Sequence, residues 1–300
     1  MITVKGLHKK FKDFQALKGV DMHVSKGEIY GFIGHNGAGK STVMNILAGL
    51  SHPTKGDCIV NGKNIKEIKS PGDLQIGYLP EDPRFYPWMT SYEILKYLGG
   101  NIKHSRITEI LKWVGLSGAE DRRVGGFSRG MKQRLGIGAA LIRNPSLLIL
   151  DEPSSALDPE GRSDVLRLIT EMKKMGKTVI FSTHILSDVE RVCDTVGMIA
   201  EGSMVIEKPL EELQKNHIRS VFDITLDVPY NPDMITKIRE LNGVIEITSN
   251  GCQLSVTTSE GASVSKALMR FFVENDITIH MMALRKNNLE ELFLAGVTKL

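Results

Sequence analysis

Hydrophobic and polar residues follow different patterns in successive parts of this chain, and each pattern predicts a different kind of element. Up to about residue 84, short β-type runs at residues 2–4, 27–30 and 57–60 alternate with glycine-rich turns. The third run ends at Asn61-Gly62, which is a strong hairpin signal. From about residue 85 to 145 the apolar residues recur at helical spacing, so we expect a helical segment there.

Two continuous apolar runs follow, at residues 147–150 and 178–181, and an amphipathic pattern lies between them at roughly 159–174. Strands that are apolar on both faces and joined by a helix are typical of a parallel sheet that is covered on both sides. The sequence therefore predicts an α/β core with an antiparallel β subdomain before it and an inserted α-helical subdomain at about 85–145.

The pattern changes after about residue 216. Phe222, Ile224 and Leu226 alternate with polar residues, as expected of a half-buried strand. Further helices and strands are predicted in the order βαββαβ, which is typical of a small ferredoxin-like α+β sandwich, and a last helix is predicted at 288–294. We therefore expect two domains, residues 1–216 and 217–300, which suits a chain of 300 residues.

The segment GHNGAGKST follows a short apolar run and precedes a helical pattern. Its glycines would let successive backbone N–H groups point at phosphate oxygens, and the start of the next helix attracts the same anion. We expect Lys40 to reach the β- and γ-phosphates and the Ser41 hydroxyl to bind Mg²⁺. A glycine-rich turn with a surface lysine is the alternative, but the flanking strand and helix favour a P-loop NTPase core. The candidate nucleotide-binding residues are Gly34, His35, Asn36, Gly37, Ala38, Gly39, Lys40, Ser41 and Thr42.

Two carboxylates follow the apolar run LLIL, where a parallel sheet places its ligands. Adjacent residues of a strand point to opposite sides. We therefore expect Asp151 to face the Mg²⁺ and Glu152 to face the attacking water as general base. Taken alone, these residues would also fit an acidic surface turn, and it is the glycine loop that favours the catalytic interpretation.

Between these motifs lies the segment FSRGMKQR (residues 127–134), and after them come SALD (residues 155–158) and His184. This order of motifs resembles the ATP-binding cassette (ABC) family over roughly residues 1–215. The resemblance implies a head-to-tail dimer in which each ATP lies between one subunit's glycine loop and the other's signature segment, residues 127–134. It further implies that Phe11 stacks on adenine, that Ser128 and Gly130 contact the γ-phosphate, that Asp158 couples the two sites and that His184 helps to position the water.

The chain departs from the usual family motifs at three positions. Arg129 replaces a glycine of the signature, where it would either add a charge beside the phosphates or point to solvent. Met131 replaces a glutamine, and Glu81 stands where the family has a Mg²⁺-binding Gln. A carboxylate can also bind Mg²⁺, so an active site is still expected. These departures resemble the ATPase subunits of drug- and antibiotic-type exporters.

The main hypothesis is an ATPase that drives a separate membrane permease, through a homodimer or a pair with a related subunit. No apolar run approaches the roughly 20 residues that span a bilayer, so we expect a cytoplasmic protein held at the inner face of the membrane by the permease. The aromatic residues at 85–88 are either core or a surface for coupling to that permease.

Two alternatives remain at this point. A soluble cassette ATPase acting on ribosomes or nucleic acid would be expected to show a basic face. Residues 217–300 instead carry 8 Lys or Arg against 10 Asp or Glu, a net charge of −2, so we expect no nucleic-acid partner. In the other alternative the C-terminal domain is a ligand sensor; a packing or dimer-stabilising appendage is favoured over it because no cluster of potential ligands stands out there.

Overall fold

The computed structural model of the chain describes residues 1–155, 157–216, 220–259 and 261–285. The strands in chain order are β1 (Ile2–Phe11), β2 (Phe14–Val24), β3 (Ile29–Ile33), β4 (Lys55–Val60), β5 (Lys63–Asn64), β6 (Ile76–Leu79), β7 (Leu147–Leu150), β8 (Thr178–Thr183), β9 (Thr195–Ala200), β10 (Ser203–Pro209), β11 (Ser220–Leu226), β12 (Val244–Asn250), β13 (Gln253–Thr258) and β14 (Ile279–Arg285). The α-helices are α1 (Lys40–Leu47), α2 (Ser91–Gly99), α3 (His104–Trp113), α4 (Arg129–Leu141), α5 (Pro159–Lys174), α6 (Leu186–Val192), α7 (Leu210–Asn216), α8 (Pro232–Arg239) and α9 (Gly261–Glu274).

The described residues form two compact units, which divide between Leu210 and Glu211. The first unit contains a six-stranded sheet in the order β10-β9-β3-β8-β7-β6. Its strands are parallel except for β10, which pairs antiparallel with β9. Every residue of β3, β7 and β8 is buried, because helices or the second sheet cover both faces of this sheet.

A second sheet of the first unit has the order β2-β1-β4-β5. Its pairs are antiparallel, and β4 turns back into β5 at the expected Asn61-Gly62 hairpin. One apolar cluster joins this sheet to helix α1 and the parallel sheet, with Val4, Phe32, Met44 and Ile149 among its members. Helix α1 is therefore fixed between the two sheets, with its first residue at the carboxyl end of β3.

Helices α2, α3 and α4 lie between β6 and β7 in the chain and contact one another. The hydroxyl of Thr90 caps α2 by accepting from the Glu93 N–H at 3.1 Å, and the Glu93 carboxylate accepts from the Thr90 N–H at 2.8 Å. Ser128 caps α4 in the same manner, accepting from the Met131 N–H at 3.3 Å. The sequence signature of each cap sets where its helix begins.

The second unit has the element order β11-α8-β12-β13-α9-β14 and one antiparallel sheet in the order β12-β13-β11-β14. Phe222, Leu254, Ile238 and Phe272 belong to its apolar core, which lies between the sheet and its two helices. The helix expected at 288–294 lies outside the described residues. Within the part of the chain that is described, no helix combines the length and the apolarity that crossing a membrane requires.

Candidate functional site

The loop between β3 and α1 needs glycine for steric and conformational reasons. A Cβ atom on Gly34 would lie 2.6 Å from the carbonyl oxygen of Ile199, a clash with backbone that cannot easily move. Gly39 has φ 110°, and a Cβ there would also lie 2.9 Å from Leu17. The loop can therefore follow this path only with glycine at both positions, while His35 and Asn36 at its outer turn are exposed.

Helix α1 begins without a side-chain cap, because its N-cap residue is Gly39. The N–H groups of its first turn therefore have no capping side chain and are suited to bind an anion. Lys40, at the first helical position, is only 5% exposed. Its Nζ donates to the carbonyl oxygens of Gly34 at 2.7 Å and His35 at 3.2 Å, and it lies 3.2 Å from Oε1 of Glu152. A buried cation thus lies at the base of the loop, paired with one carboxylate.

The two predicted carboxylates lie just beyond β7, not on it. The strand ends at Leu150, and Glu152 has φ 47°, so the alternation expected for adjacent strand residues does not apply. Ser182 on β8 contacts both residues: its hydroxyl donates to Asp151 Oδ1 at 2.5 Å and accepts from the Glu152 N–H at 2.8 Å. The turn after β7, together with this serine, sets the two carboxylates apart.

Asp151 and Glu152 differ in their partners. Burial raises the pKa of Asp151, and hydrogen bonds from Ser182 and Ser41 partly oppose that rise. Glu152 lies between two nitrogen groups: Oε1 faces Lys40, and Oε2 is 3.0 Å from Nδ1 of His184. The structure therefore brings His184, 32 positions away in sequence, against the predicted base.

An open cleft of about 370 Å³ lies over the glycine loop. Ten residues line the cleft. Seven of them were predicted to hold the nucleotide or the metal, and Glu152 was predicted to be the base. The other two, Phe14 and Ala16, were not predicted from the sequence. Its walls are formed by Phe14, Ala16, Asn36, Gly37, Gly39, Lys40, Ser41, Thr42, Glu81 and Glu152. The cleft therefore combines an aromatic residue at one side, backbone N–H groups and a lysine at its base, and carboxylates beside them.

Comparison with known proteins connects this cleft to a family. The model of the ABC transporter family matches residues 17–155. The lantibiotic transport ATP-binding protein SrtF of Streptococcus pyogenes is 41% identical over 227 residues, which cover 73% of this chain and 97% of SrtF. The bacitracin transport ATP-binding protein BcrA of Bacillus licheniformis is 34% identical over 299 residues, which cover 98% of this chain and 96% of BcrA. The chain belongs to the ABC transporter family.

A solved structure supports the same assignment. A dimeric ATP-binding cassette in a post-hydrolysis state, bound to ADP and Pi, matches 70% of this chain and 99% of its own, with 26% identity and a TM-score of 0.64. The protein described here is thus an ATP-binding ABC ATPase, and hydrolysis of ATP is its enzymatic activity. The family resemblance inferred from the motifs is confirmed.

The signature residues of this ABC ATPase do not line the cleft of their own chain. Ser128 and Arg129 are exposed at the start of α4, and Gly130 is partly exposed there. Asp158 is exposed as well and caps α5 by accepting from the Gly161 N–H at 3.1 Å. These residues therefore present an uncovered helix start and loop, separate from the cleft around Lys40.

The aromatic wall of the cleft differs from the expectation. Phe11, which was expected to stack on adenine, is 49% exposed at the end of β1, but among the described residues it is Phe14 that lines the cleft. The two residues face each other in the register of the β1–β2 hairpin, and Nζ of Lys9 lies 4.8 Å from the Phe11 ring. Phe14 was missed because a hairpin turn between two phenylalanines does not show which ring faces the cleft.

Proposed function

We propose that two copies of this chain bind two ATP molecules head to tail and use their hydrolysis to drive a separate membrane permease of the exporter type. The observation that carries the proposal is Glu152, a buried carboxylate held between Lys40 and His184 at the edge of the cleft. The proposed base is thereby in contact with the proposed phosphate-binding cation and with an imidazole ring. The names of SrtF and BcrA, which concern transport of a lantibiotic and of bacitracin, support export of a related class of compound.

Binding of ATP follows from the walls of the cleft. The phosphates would lie on the N–H groups of residues 36–42, with Lys40 as the countercharge, and adenine would pack on Phe14 or Phe11 at the exposed hairpin. Ser41, Asp151 and Glu81 offer a hydroxyl and two carboxylates, the oxygen donors that Mg²⁺ prefers, and Asp151 already accepts a hydrogen bond from Ser41. These residues fit a Mg²⁺ ion, which would neutralise charge on the phosphate oxygens.

The ion pair between Lys40 and Glu152 gives the site a way to respond to substrate. A γ-phosphate carries more negative charge than one carboxylate, so it competes with Glu152 for Lys40. Once Lys40 turns to the phosphate, Oε1 of Glu152 is free to accept a proton from water, while His184 keeps Oε2 in place at 3.0 Å. Binding of ATP would thus convert Glu152 from an ion-pair partner into a base.

A second copy of the chain would complete the site. Ser128 and Gly130 begin a 13-residue helix, so their N–H groups favour an anion, yet the cleft of their own chain does not include them. In a head-to-tail pair they would face the γ-phosphate held by the other copy, with Arg129 adding a positive charge nearby. The dimeric arrangement of the related cassette supports this pairing.

The surface that would receive the permease lies near Glu81. Tyr86 and Trp88 are both exposed, Trp88 by 65%, and their ring centroids are 5.2 Å apart. These two rings are therefore not core, which favours the coupling interpretation of this segment. Because Glu81 lines the nucleotide cleft and lies five residues before Tyr86, a change at the metal site would pass along a short piece of chain to this surface.

The second unit is proposed to be an accessory, ferredoxin-like domain. Its βαββαβ order and its apolar core support a packing or dimer-stabilising role. Action on ribosomes or nucleic acid is disfavoured by the net charge of −2 on residues 217–300. A ligand-sensing role has no specific observation in its favour among the described residues of this unit.

The experiment uses Glu152→Gln in the full-length chain. We expect this variant to bind Mg-ATP, to lose hydrolysis by about 10²–10⁴-fold because the general base is gone, and to shift from monomer to dimer when Mg-ATP is added. Size-exclusion chromatography with light scattering and a phosphate-release assay measure both effects. Glu171→Gln, at a half-exposed position of α5 outside the cleft, is the matched control and should behave as the unmodified chain. Undiminished turnover in Glu152→Gln would overturn the assignment of Glu152 as the base. If the variant binds ATP but stays monomeric, the proposal that two copies dimerise around ATP without the permease is overturned.

A further inference from the structure

A buried acidic residue outside the nucleotide cleft connects the segments that carry the proposed catalytic residues. Asp188, in α6, is 1% exposed. Its Oδ2 accepts from the Ser154 hydroxyl at 2.8 Å, and its Oδ1 accepts from Nε of Arg162 at 2.5 Å. Arg162 also donates from Nη2 to the Ser187 hydroxyl at 2.7 Å. One carboxylate is therefore held by donors from two other segments.

The positions of these partners in the chain give the cluster its meaning. Ser154 lies two residues after Glu152, and Asp188 lies four residues after His184. Arg162 is in the first turn of α5, where its N–H donates to the carbonyl oxygen of Asp158 at 2.9 Å. Asp188 thus connects Ser154, near Glu152, and Arg162, in the first turn of α5, to the segment that follows His184.

Burial makes this connection stiff. A carboxylate that is 1% exposed cannot replace its partners with water, so its hydrogen bonds have few alternatives. The same argument does not make the cluster a large source of stability, because a buried ion pair roughly balances its desolvation cost against its attraction. Its geometry is better suited to fixing positions than to adding stability.

We infer that Asp188, Ser154 and Arg162 form a positioning cluster that keeps His184 against Glu152 and holds Asp158, at the start of α5, in place for hydrolysis. None of the three residues lines the cleft, so they act through Glu152, His184 and Asp158. The inference rests on the proposed roles of those three residues. A shift of about 1 Å between a base and its neighbour can lower a rate by about 10²-fold, so such a support has a measurable effect on turnover.

Three substitutions in the full-length chain test the cluster. Asp188→Asn keeps the shape of the side chain but removes its charge, Ser154→Ala removes one hydrogen bond, and Arg162→Lys keeps the cation but loses the second donor to Ser187. We expect kcat for ATP hydrolysis to fall about tenfold in Asp188→Asn and less in the other two variants, with KM for ATP within about twofold of the unmodified value. Glu171→Gln, which removes a half-exposed ion pair with Arg167 from the same helix as Arg162, should leave both constants unchanged.

The split between kcat and KM separates positioning from folding. A structural role would lower the melting temperature and the active fraction, measured by titration with a fluorescent ATP analogue, and would leave kcat per active site unchanged. Unchanged kcat per active site in all three variants overturns the inference. If Asp188→Asn fails to fold, Ser154→Ala and Arg162→Lys decide by the same criterion.

The variants also separate this inference from the proposed function. If Glu152→Gln is inactive while the cluster variants turn over normally, the proposed function stands and the inference fails. If Glu152→Gln stays active, the proposed function fails, and the inference that rests on it fails with it.

Discussion

The two units of the chain differ most in what they bury. The first unit buries Lys40, Asp151, Glu152 and Asp188, each 5% exposed or less. Among the described residues of the second unit, Thr258 is the one buried polar side chain, and the core is otherwise apolar. A buried charge costs several kcal/mol unless its partners compensate, so an accumulation of such charges indicates a site under functional constraint.

The location of the buried charges strengthens this contrast. Lys40, Asp151 and Glu152 all follow strands of the parallel sheet at their carboxyl ends, where ligands bind in α/β proteins. In the second unit the buried residues of β11 and β13 instead alternate with more polar ones, as in a sheet packed on one face only. Charge burial, more than the presence of a core, therefore distinguishes the first unit from the described part of the second.

The largest stability effect is expected from removing one partner of the Lys40–Glu152 pair. Lys40→Met removes the cation beside Oε1 of Glu152 and leaves this buried carboxylate with its contact to His184, so we expect a loss of about 3–5 kcal/mol in the free energy of unfolding of the first unit, together with loss of ATP binding. Urea unfolding followed by circular dichroism measures the first effect, and titration with a fluorescent ATP analogue measures the second.

Two further variants sharpen that measurement. The double variant Lys40→Met/Glu152→Gln removes both charges and should recover most of the lost stability while leaving ATP binding impaired. Lys66→Met breaks the exposed pair with Asp57 and should cost no more than about 1 kcal/mol. Equal losses in Lys40→Met and Lys66→Met would show that the buried pair is no more coupled than a surface one.

A substitution in the apolar core of the second unit tests the other side of the comparison. Leu268→Ala in α9 removes a fully buried side chain, so we expect a loss of about 2–5 kcal/mol from that unit and a rate of ATP hydrolysis within about twofold of the unmodified chain. Met269→Ala, at an exposed position next to it, should change stability by less than about 0.5 kcal/mol. A large fall in hydrolysis with Leu268→Ala would mean that the second unit takes part in catalysis.

The elements that could be predicted from the sequence are those marked by a pattern within a short stretch of chain. The apolar runs of β7 and β8, the hairpin at Asn61-Gly62 and the phosphate-type loop before α1 could all be recognised because period, turn residues and glycine spacing are local properties. Family membership followed from the order of several such motifs and is confirmed.

Side-chain contacts between distant segments could not be predicted in the same way. The contact of Ser182 with both carboxylates depends on the pairing of β7 with β8, and the link between Ser154 and Asp188 joins residues that are 34 positions apart. The opposite facing of Asp151 and Glu152 was derived from strand alternation, but β7 ends at Leu150. Their different directions come instead from the turn after β7 and from the contacts with Ser182. Likewise, choosing between Phe11 and Phe14 requires the path of the hairpin, which alternation does not contain.

The smallest predicted effect comes from removing a helix N-cap, a feature that occurs in both units. Thr90 caps α2 in the first unit, and Asn231 caps α8 in the second by accepting from the Met234 N–H at 2.8 Å. Since a cap acts locally, Thr90→Ala and Asn231→Ala should each cost about 1 kcal/mol, and neither should change the rate of ATP hydrolysis. Urea unfolding and phosphate release measure both. Each helix is capped by a side-chain oxygen, but among the described residues only the first unit buries charged side chains. Equal losses of stability would show that a cap contributes the same stability in both units. A lower rate of hydrolysis in Asn231→Ala alone would instead place the second unit in the catalytic cycle.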